Sequence, residues 1–217
     1  MHKILSVGSK TTNMANDFQK MYFDEHPDAA HDIHQLETVL LGERLRFTTD
    51  AGVFSKKAID FGSQVLLEAV TFEAQSTLLD VGCGYGPIGI TLAKAQAVLP
   101  TMIDVNLRAL ALAEKNAAQN AVSAIIFQSN LYEKVVGNFD HIVSNPPIRA
   151  GKEVVHGVIS GAYEHLKENG TLTIVIQKKQ GAPSAKDKMI DIFDNCEVIK
   201  KSKGYFILQS TKESETA

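Results

Sequence analysis

At 217 residues, 44% hydrophobic and 22% charged, the chain is long enough to bury one substantial core and has the balance of an ordinary soluble domain. Its two cysteines, Cys83 and Cys196, have neither CxxC spacing nor a pairing pattern, which argues against a disulfide scaffold or a cysteine zinc site, and no run of 18 apolar residues offers a membrane span. A net charge of −3 argues at first against a polyanionic partner, but residues 1–148 carry 11 Lys/Arg against 16 Asp/Glu while residues 149–217 carry 11 against 9.

The first segment, MHKILSVGSK, has an apolar stretch too short for a signal-peptide core, so a cytoplasmic protein is expected. Through residue 35 the chain is polar and aperiodic. It reads as a partly flexible extension, with Met21 as an alternative start and residues 1–20 dispensable. His26, His31 and His34 lie among aspartates, but no helix or strand pattern gathers them, and no metal is expected. Next, HQLETVLLGERLRFTTDAGVFS turns at Gly42 and reads as a hairpin, an appendage over residues 36–56 at the start of a single domain that runs to 217. KKAIDFGSQVLLEA follows with a helical pattern.

From residue 76 strands and helices alternate. STLLDVG is a strand, and PIGITLAKAQA is a helix with Pro87 at its first position. VLPTMIDV is a strand, NLRALALAEKNAAQN a helix capped by Asn106, AIIFQSN a strand, and FDHIVSN another. A helix over 152–167 leads through Gly170 to the strand TLTIVIQ. KDKMIDIFDN is a short helix, and EVIKKSKGYFILQS a closing hairpin around Lys203-Gly204. The rhythm predicts an α/β domain, its sheet mostly parallel with an antiparallel edge.

LLDVGCGYGPIGI carries the first chemistry. A buried strand ends at Asp80, and Gly82, Gly84 and Gly86 precede a helix whose N-terminal N–H groups are free. The next strand ends in Asp104, 22 residues beyond Gly82, the spacing at which a carboxylate meets a ribose diol. Together these specify a nucleoside cofactor. A dinucleotide would bring its pyrophosphate against Asp80, which suits a cationic ammonium or an ordered water instead. Cys83 reads as a small residue in a tight turn rather than as a nucleophile.

SNPPIRAG carries the second. Two prolines hold the chain extended just after a strand, with Asn145 at its head. Such a residue also suits a helix cap. The Asn145 side-chain oxygen and the Pro146 carbonyl can also supply a rigid pair of acceptors, the arrangement that would suit an amine whose lone pair is delocalised and would stabilise the positive charge that grows as it attacks.

Through LLDVGCGYG, MIDVN and SNPP in that order, residues 36–211 resemble the class I S-adenosylmethionine-dependent methyltransferases. The resemblance implies a Rossmann-like fold, a mostly parallel seven-stranded sheet with an antiparallel C-terminal hairpin and helices on both faces. It implies that S-adenosylmethionine lies against Phe54, Ser55, Asp80, Gly82, Cys83, Gly84, Tyr85, Gly86, Asp104, Val105, Asn130 and Asn145, with Asn145, Pro146 and Pro147 as the catalytic segment. Asn130 stands where many relatives place an aspartate on the adenine amino group, and it would accept without charge. Asn-Pro-Pro occurs in methyltransferases of adenine N6, guanine N2 and glutamine side chains. Most have an aromatic residue next, where this chain has Ile148. TDAGVFSKKAIDFGSQVLLE, NPPIRAGKEVVH and QKKQGAPSAK make the chain similar to the single-domain RsmC-like 16S ribosomal RNA guanine-N2 methyltransferases. A glutamine methyltransferase acting on a release factor would bring an aromatic at 148 and an appended helical domain, and a binding module that merely keeps the fold would not need Asp80, Asp104 and Asn145 together. The expected partner is ribosomal RNA or the small-subunit particle, met by a monomer through Arg149, Lys152, Lys178 and Lys179.

Overall fold

The computed structural model describes residues 31–51, 53, 55, 58–147 and 151–214. The proposed extension therefore falls largely outside the described residues, as do Phe54, Ile148 and Arg149. Strands β1 (His34–Leu40) and β2 (Glu43–Thr49) form an antiparallel hairpin through Leu41-Gly42. It begins at His34, two residues ahead of the expected boundary. His31 Nδ1 and the Asp32 N–H both contact the Asp50 carboxylate at 2.5 Å, which fastens this entry to the far end of the hairpin.

Helix α1 (Phe61–Leu67) starts later than the apolar pattern suggested, because Asp60 caps it and accepts from the Ser63 N–H at 3.2 Å. The remaining elements are β3 (Thr77–Val81), α2 (Pro87–Gln96), β4 (Leu99–Asp104), α3 (Leu107–Gln119), β5 (Ile125–Gln128), β6 (Phe139–Ser144), α4 (Lys152–Ala162), β7 (Leu166–Gln177), α5 (Ala182–Phe193), β8 (Glu197–Ser202) and β9 (Tyr205–Thr211). Pro87 opens α2, and the Asn106 side chain caps α3 by accepting from Ala109, as expected. The sheet runs β5-β4-β3-β6-β7-β9-β8, with β5 to β7 parallel and β9 antiparallel to both neighbours.

Alternation along the strands divides the core. Leu79, Ile142, Ile174 and Leu208 face α4 and α5, while Leu78, Val143, Val175 and Ile207 face α1 and α2. All eight are fully buried, and each contributes about 1.5–3 kcal/mol. Helices thus cover both faces, the layering of a doubly wound sheet. No helix among the described residues is long and apolar enough to cross a membrane.

Other stretches also depart from the pattern in the sequence; α5 begins at Ala182, ahead of the expected KDKMIDIFDN. The helix expected over 152–167 stops at Ala162, because Lys212 Nζ takes the carbonyls of Tyr163 and Leu166 and Leu166 enters the core as a strand residue. Residues 167–170 then loop out of register, since Phe139 faces Leu166 but His141 faces Thr171. Asn169 takes a φ of 61°, and the backbone groups of Asn169 and Gly170 pair with Lys212.

The hairpin is docked by carboxamides. Asn116 Oδ1 accepts from the Thr48 N–H at 2.7 Å and its Nδ2 donates to the Thr48 carbonyl at 3.0 Å. One turn on, Asn120 does the same for Arg46 at 3.0 and 2.7 Å. Asn116 Nδ2 also reaches the Tyr85 carbonyl at 2.9 Å, which ties the hairpin and α3 to the loop after β3.

Candidate active site

Parallel strands bring their carboxyl ends to one edge. Strand order reverses there between β3 and β6, where a ligand crevice is expected. The loop after β3 holds Gly82, Cys83, Gly84, Tyr85 and Gly86, and the segment after β6 holds Asn145, Pro146 and Pro147. Ser144 Oγ donates to the Val81 carbonyl at 2.7 Å and pins the two segments together across the crevice.

The glycine loop folds onto Asp104. Gly84 N–H donates to Asp104 Oδ2 at 2.8 Å and Asn106 N–H to Oδ1 at 2.9 Å, while the N–H groups of Gly82 and Cys83 share the Ile103 carbonyl at 2.9 Å. Gly82 and Gly84 have φ of 72° and 56°, and a Cβ on either would meet nothing within 4 Å. Positive φ and open space on the side-chain face let a ligand lie directly against this backbone. Asp104 is partly accessible, and burial raises its carboxyl against the pull of the Asn106 and Gly84 N–H groups.

Asp80 lies beneath, 1% exposed. Its Oδ2 accepts from the Gly89 N–H at 3.0 Å, but the buried Oδ1 has no hydrogen-bond partner among the described residues. Burial, reinforced by the nearby Asp104, pushes the carboxyl up to about 7. A buried, unpartnered carboxylate oxygen beneath an open glycine loop fits a ligand that brings a cationic N–H donor.

The other expected residues among those described have contacts of their own. Tyr85 is 2% exposed and its ring packs edge-on to Phe47 at 5.9 Å, so it belongs to the core beneath the loop rather than to an open surface. Burial and the carboxylates of Asp104 and Asp80 hold the Cys83 thiol well above its usual range, which leaves it protonated and unreactive. Val105 accepts from Gln128 Nε2 at 3.1 Å. Asn130, in the turn after β5, donates from Nδ2 to Glu133 at 2.7 Å. Ser55 has a φ of 57°, and its carbonyl lies 3.5 Å from the Tyr85 hydroxyl.

Asn145 has partners that sequence reasoning missed. Its Nδ2 donates to Asp60 Oδ2 at 2.8 Å and to Ser63 Oγ at 2.9 Å, both from the first turn of α1. The only local signal was the Asp-x-x-Ser spacing of a helix cap.

Lys152 opens α4, and Lys178 and Lys179 form the short turn after β7. All three are exposed on the same edge. Lys178 N–H donates to the Gly204 carbonyl at 2.8 Å, so the β8–β9 tip with Lys201 and Lys203 joins this rim. A pocket of about 120 Å³ lies between the starts of α4 and α5, bordered by Lys152, Ile176 and Gln180. In it His156 Nε2 lies 3.2 Å from Ser184 Oγ, and burial and then Lys152 hold the imidazole below its usual value. A larger groove of about 750 Å³ opens between the hairpin and the last turns of α2 and α3, at the opposite edge of the sheet and away from Asp80 and Asn145.

Comparison with known proteins gives consistent matches. Residues 44–209 match the family model of the methyltransferase small domain. The chain is 46% identical over 198 residues to the uncharacterized protein YbxB of Bacillus subtilis (strain 168), covering 88% of this chain and 98% of that protein. It is 34% identical over 177 residues to the ribosomal RNA small subunit methyltransferase C of Erwinia tasmaniensis, covering 79% of this chain and 51% of that one, so it spans about half of that relative's length. Among solved structures it resembles the 16S rRNA N2 G1207 methyltransferase (RsmC) of T. thermophilus, in complex with AdoMet and guanosine. The TM-score is 0.77 at 24% identity over 87% of this chain and 52% of that one, a likeness of fold.

Proposed function

The chain belongs to the methyltransferase small domain family, and on that premise we propose that it methylates the exocyclic N2 amine of a guanine in small-subunit ribosomal RNA. Its fold is that of the class I methyltransferases, and its cofactor is S-adenosylmethionine. When bound, that cofactor supplies an electrophilic methyl group on a sulfonium.

The residues of this chain then have distinct tasks. Asp80 Oδ1, buried without a partner, accepts from the ammonium of the amino-acid end. Asp104 holds the glycine loop in shape through Gly84 and Asn106, and its remaining lone pairs serve the ribose hydroxyls. Asn145 Oδ1 and the Pro146 carbonyl accept from the guanine amine. They favour a pyramidal nitrogen and stabilise the charge it acquires, an effect largest where the groups are pre-positioned. Positioning contributes the rest, and the cationic product loses its proton readily to water. Lys152, Lys178 and Lys179 dock phosphates beside the crevice, and Arg149 follows the same segment. A guanine inside folded RNA must leave its stack to reach the site.

The observation that carries this reading is Asn145 at the end of β6, held across the crevice from the glycine loop by the Ser144–Val81 bond, in a chain that aligns with small-subunit RNA methyltransferases over 79% of its length. The test is mass spectrometry of small-subunit RNA nucleosides from cells with and without the protein, followed by methylation in vitro with purified protein. A 2-methylguanosine that vanishes with the protein and returns on incubation supports the reading. A methyl group found on adenine N6 or on a protein glutamine overturns it.

A further inference from the structure

The carboxamide of Asn145 has two ends, and only the oxygen is useful to an attacking amine. The nitrogen end repels an amine, donor against donor. At 2.8 Å from Nδ2 stands Asp60 Oδ2, which belongs to a carboxylate and only accepts. Turning the amide over would set two oxygens against each other, so this contact selects one of its two orientations. The second N–H donates to Ser63 Oγ at 2.9 Å. With both N–H groups committed, planarity turns Oδ1 away from Asp60.

Asp60 is itself held. Its Oδ2 accepts from the Ser63 N–H at 3.2 Å, and its backbone carbonyl accepts from the Gln64 N–H at 3.1 Å. Between Asp60 and β9 sits Gly62, where a Cβ would fall 2.8 Å from Asp60 Oδ2 and 3.0 Å from the Tyr205 ring. The Tyr205 hydroxyl accepts from Gln177 Nε2 at 2.6 Å and its ring packs edge-on to Phe61 at 5.6 Å, so that wall does not readily yield. Only glycine at 62 leaves room for the carboxylate where it stands.

We propose that Asp60, supported by Ser63 and given space by Gly62, is a positioning residue that holds the Asn145 carboxamide in the one orientation that offers Oδ1 to the substrate amine. The proposal rests on the assignment of Asn145 as the amine acceptor.

Three variants separate positioning from folding. Asp60→Ser still caps α1 but is too short to reach Asn145. Asp60→Asn keeps a neutral oxygen for the same N–H groups. Gly62→Ala removes no polar group and displaces the carboxylate. Each is measured for single-turnover methyl transfer at saturating cofactor and RNA, for S-adenosylmethionine affinity, and for the ¹H–¹⁵N signals of the Asn145 side-chain amide, assigned by their loss in Asn145→Ala. Asp60→Ser and Gly62→Ala should slow transfer tenfold or more with cofactor affinity within twofold, and the amide protons should move toward solvent-exposed shifts. Asp60→Asn should recover most of the rate. In the Asn145→Ala background, Asp60→Ser should cost nothing further. A parent-like rate or an unmoved amide signal in Asp60→Ser overturns the proposal, as does a loss that persists without Asn145. If the methylated product is not 2-methylguanosine the substrate assignment fails, yet the amide spectra still decide the role of Asp60.

Discussion

Replacing Asp80 by Asn tests the carboxylate beneath the glycine loop. Without cofactor the folded chain keeps a proton there up to about pH 7, whereas the unfolded chain releases it near 3.8. Between those values the folded state binds one proton more than the unfolded state, so stability present at low pH is lost as the pH climbs through 7. About 3 pH units at about 1.36 kcal/mol each set a ceiling of roughly 4 kcal/mol. Asn does not titrate, but it puts an unpaired NH₂ where Oδ1 was, at a cost of about 1–3 kcal/mol at every pH. The variant should therefore be the less stable protein at pH 5, and it should draw level with or pass the parent by pH 8. Urea unfolding of cofactor-free protein, followed by circular dichroism at pH 5, 6, 7 and 8, measures the difference. Asp104, also raised by burial, titrates in both proteins and largely drops out. The same variant should lose tenfold or more in cofactor affinity, because an amide answers an ammonium poorly. A stability difference that stays constant from pH 5 to 8 would refute the reasoning, since Asp80 would then titrate as an ordinary, partnered carboxylate.

Asn145→Ala should keep the fold and the cofactor but slow single-turnover methyl transfer on the order of 10²–10³-fold, and a rate near the parent's would leave Asn145 a structural role only. Asp104→Ala removes the acceptor of Gly84 and Asn106 and should weaken S-adenosylmethionine binding by about 1.5–3 kcal/mol in calorimetry; unchanged affinity would refute its role at the ribose. Lys178→Glu with Lys179→Glu should weaken RNA binding at low salt while sparing the cofactor. The gap to the parent should narrow as salt rises, and equal RNA affinity would return both lysines to the solvated surface. Asn116→Ala strips partners from both backbone groups of Thr48 and from the Tyr85 carbonyl, and should cost about 3 kcal/mol, or roughly 6–12 °C of Tm in a scanning experiment.

The frame was legible because its signals are local. Short apolar runs within 76–82 and 139–145 mark buried strands whose neighbouring residues enter opposite cores, and Pro87 and Asn106 stand at the helix starts where their chemistry places them. Asp80, the glycines, Asp104 and Asn145 each stand at or just beyond the carboxyl end of a strand, so a parallel sheet gathers them on one edge without further information. What stayed hidden depends on residues far along the chain. Asn145 meets Asp60 and Ser63 across 85 and 82 positions, and nothing near SNPP announces them. The early end of α4 and the excursion at 167–170 depend on Lys212, more than forty positions downstream. The neighbours of Asp80 in sequence point to an ammonium or a water, but that one of its oxygens is buried without a partner among the described residues is a fact of packing alone.

The hairpin is gripped by its main chain. Asn116 and Asn120 are spaced about 6 Å along α3, and Arg46 and Thr48 about 6.6 Å along β2. The near match lets a helix stand in for a neighbouring strand, each carboxamide answering one N–H and one carbonyl. A strand edge that would otherwise be open to another chain is closed. Because the grip is on the main chain, the exposed residues of the hairpin, Arg44 and Arg46 among them, are free to drift. Substitution can redraw the surface it shows to a partner while its seat beside the glycine loop stays where it is.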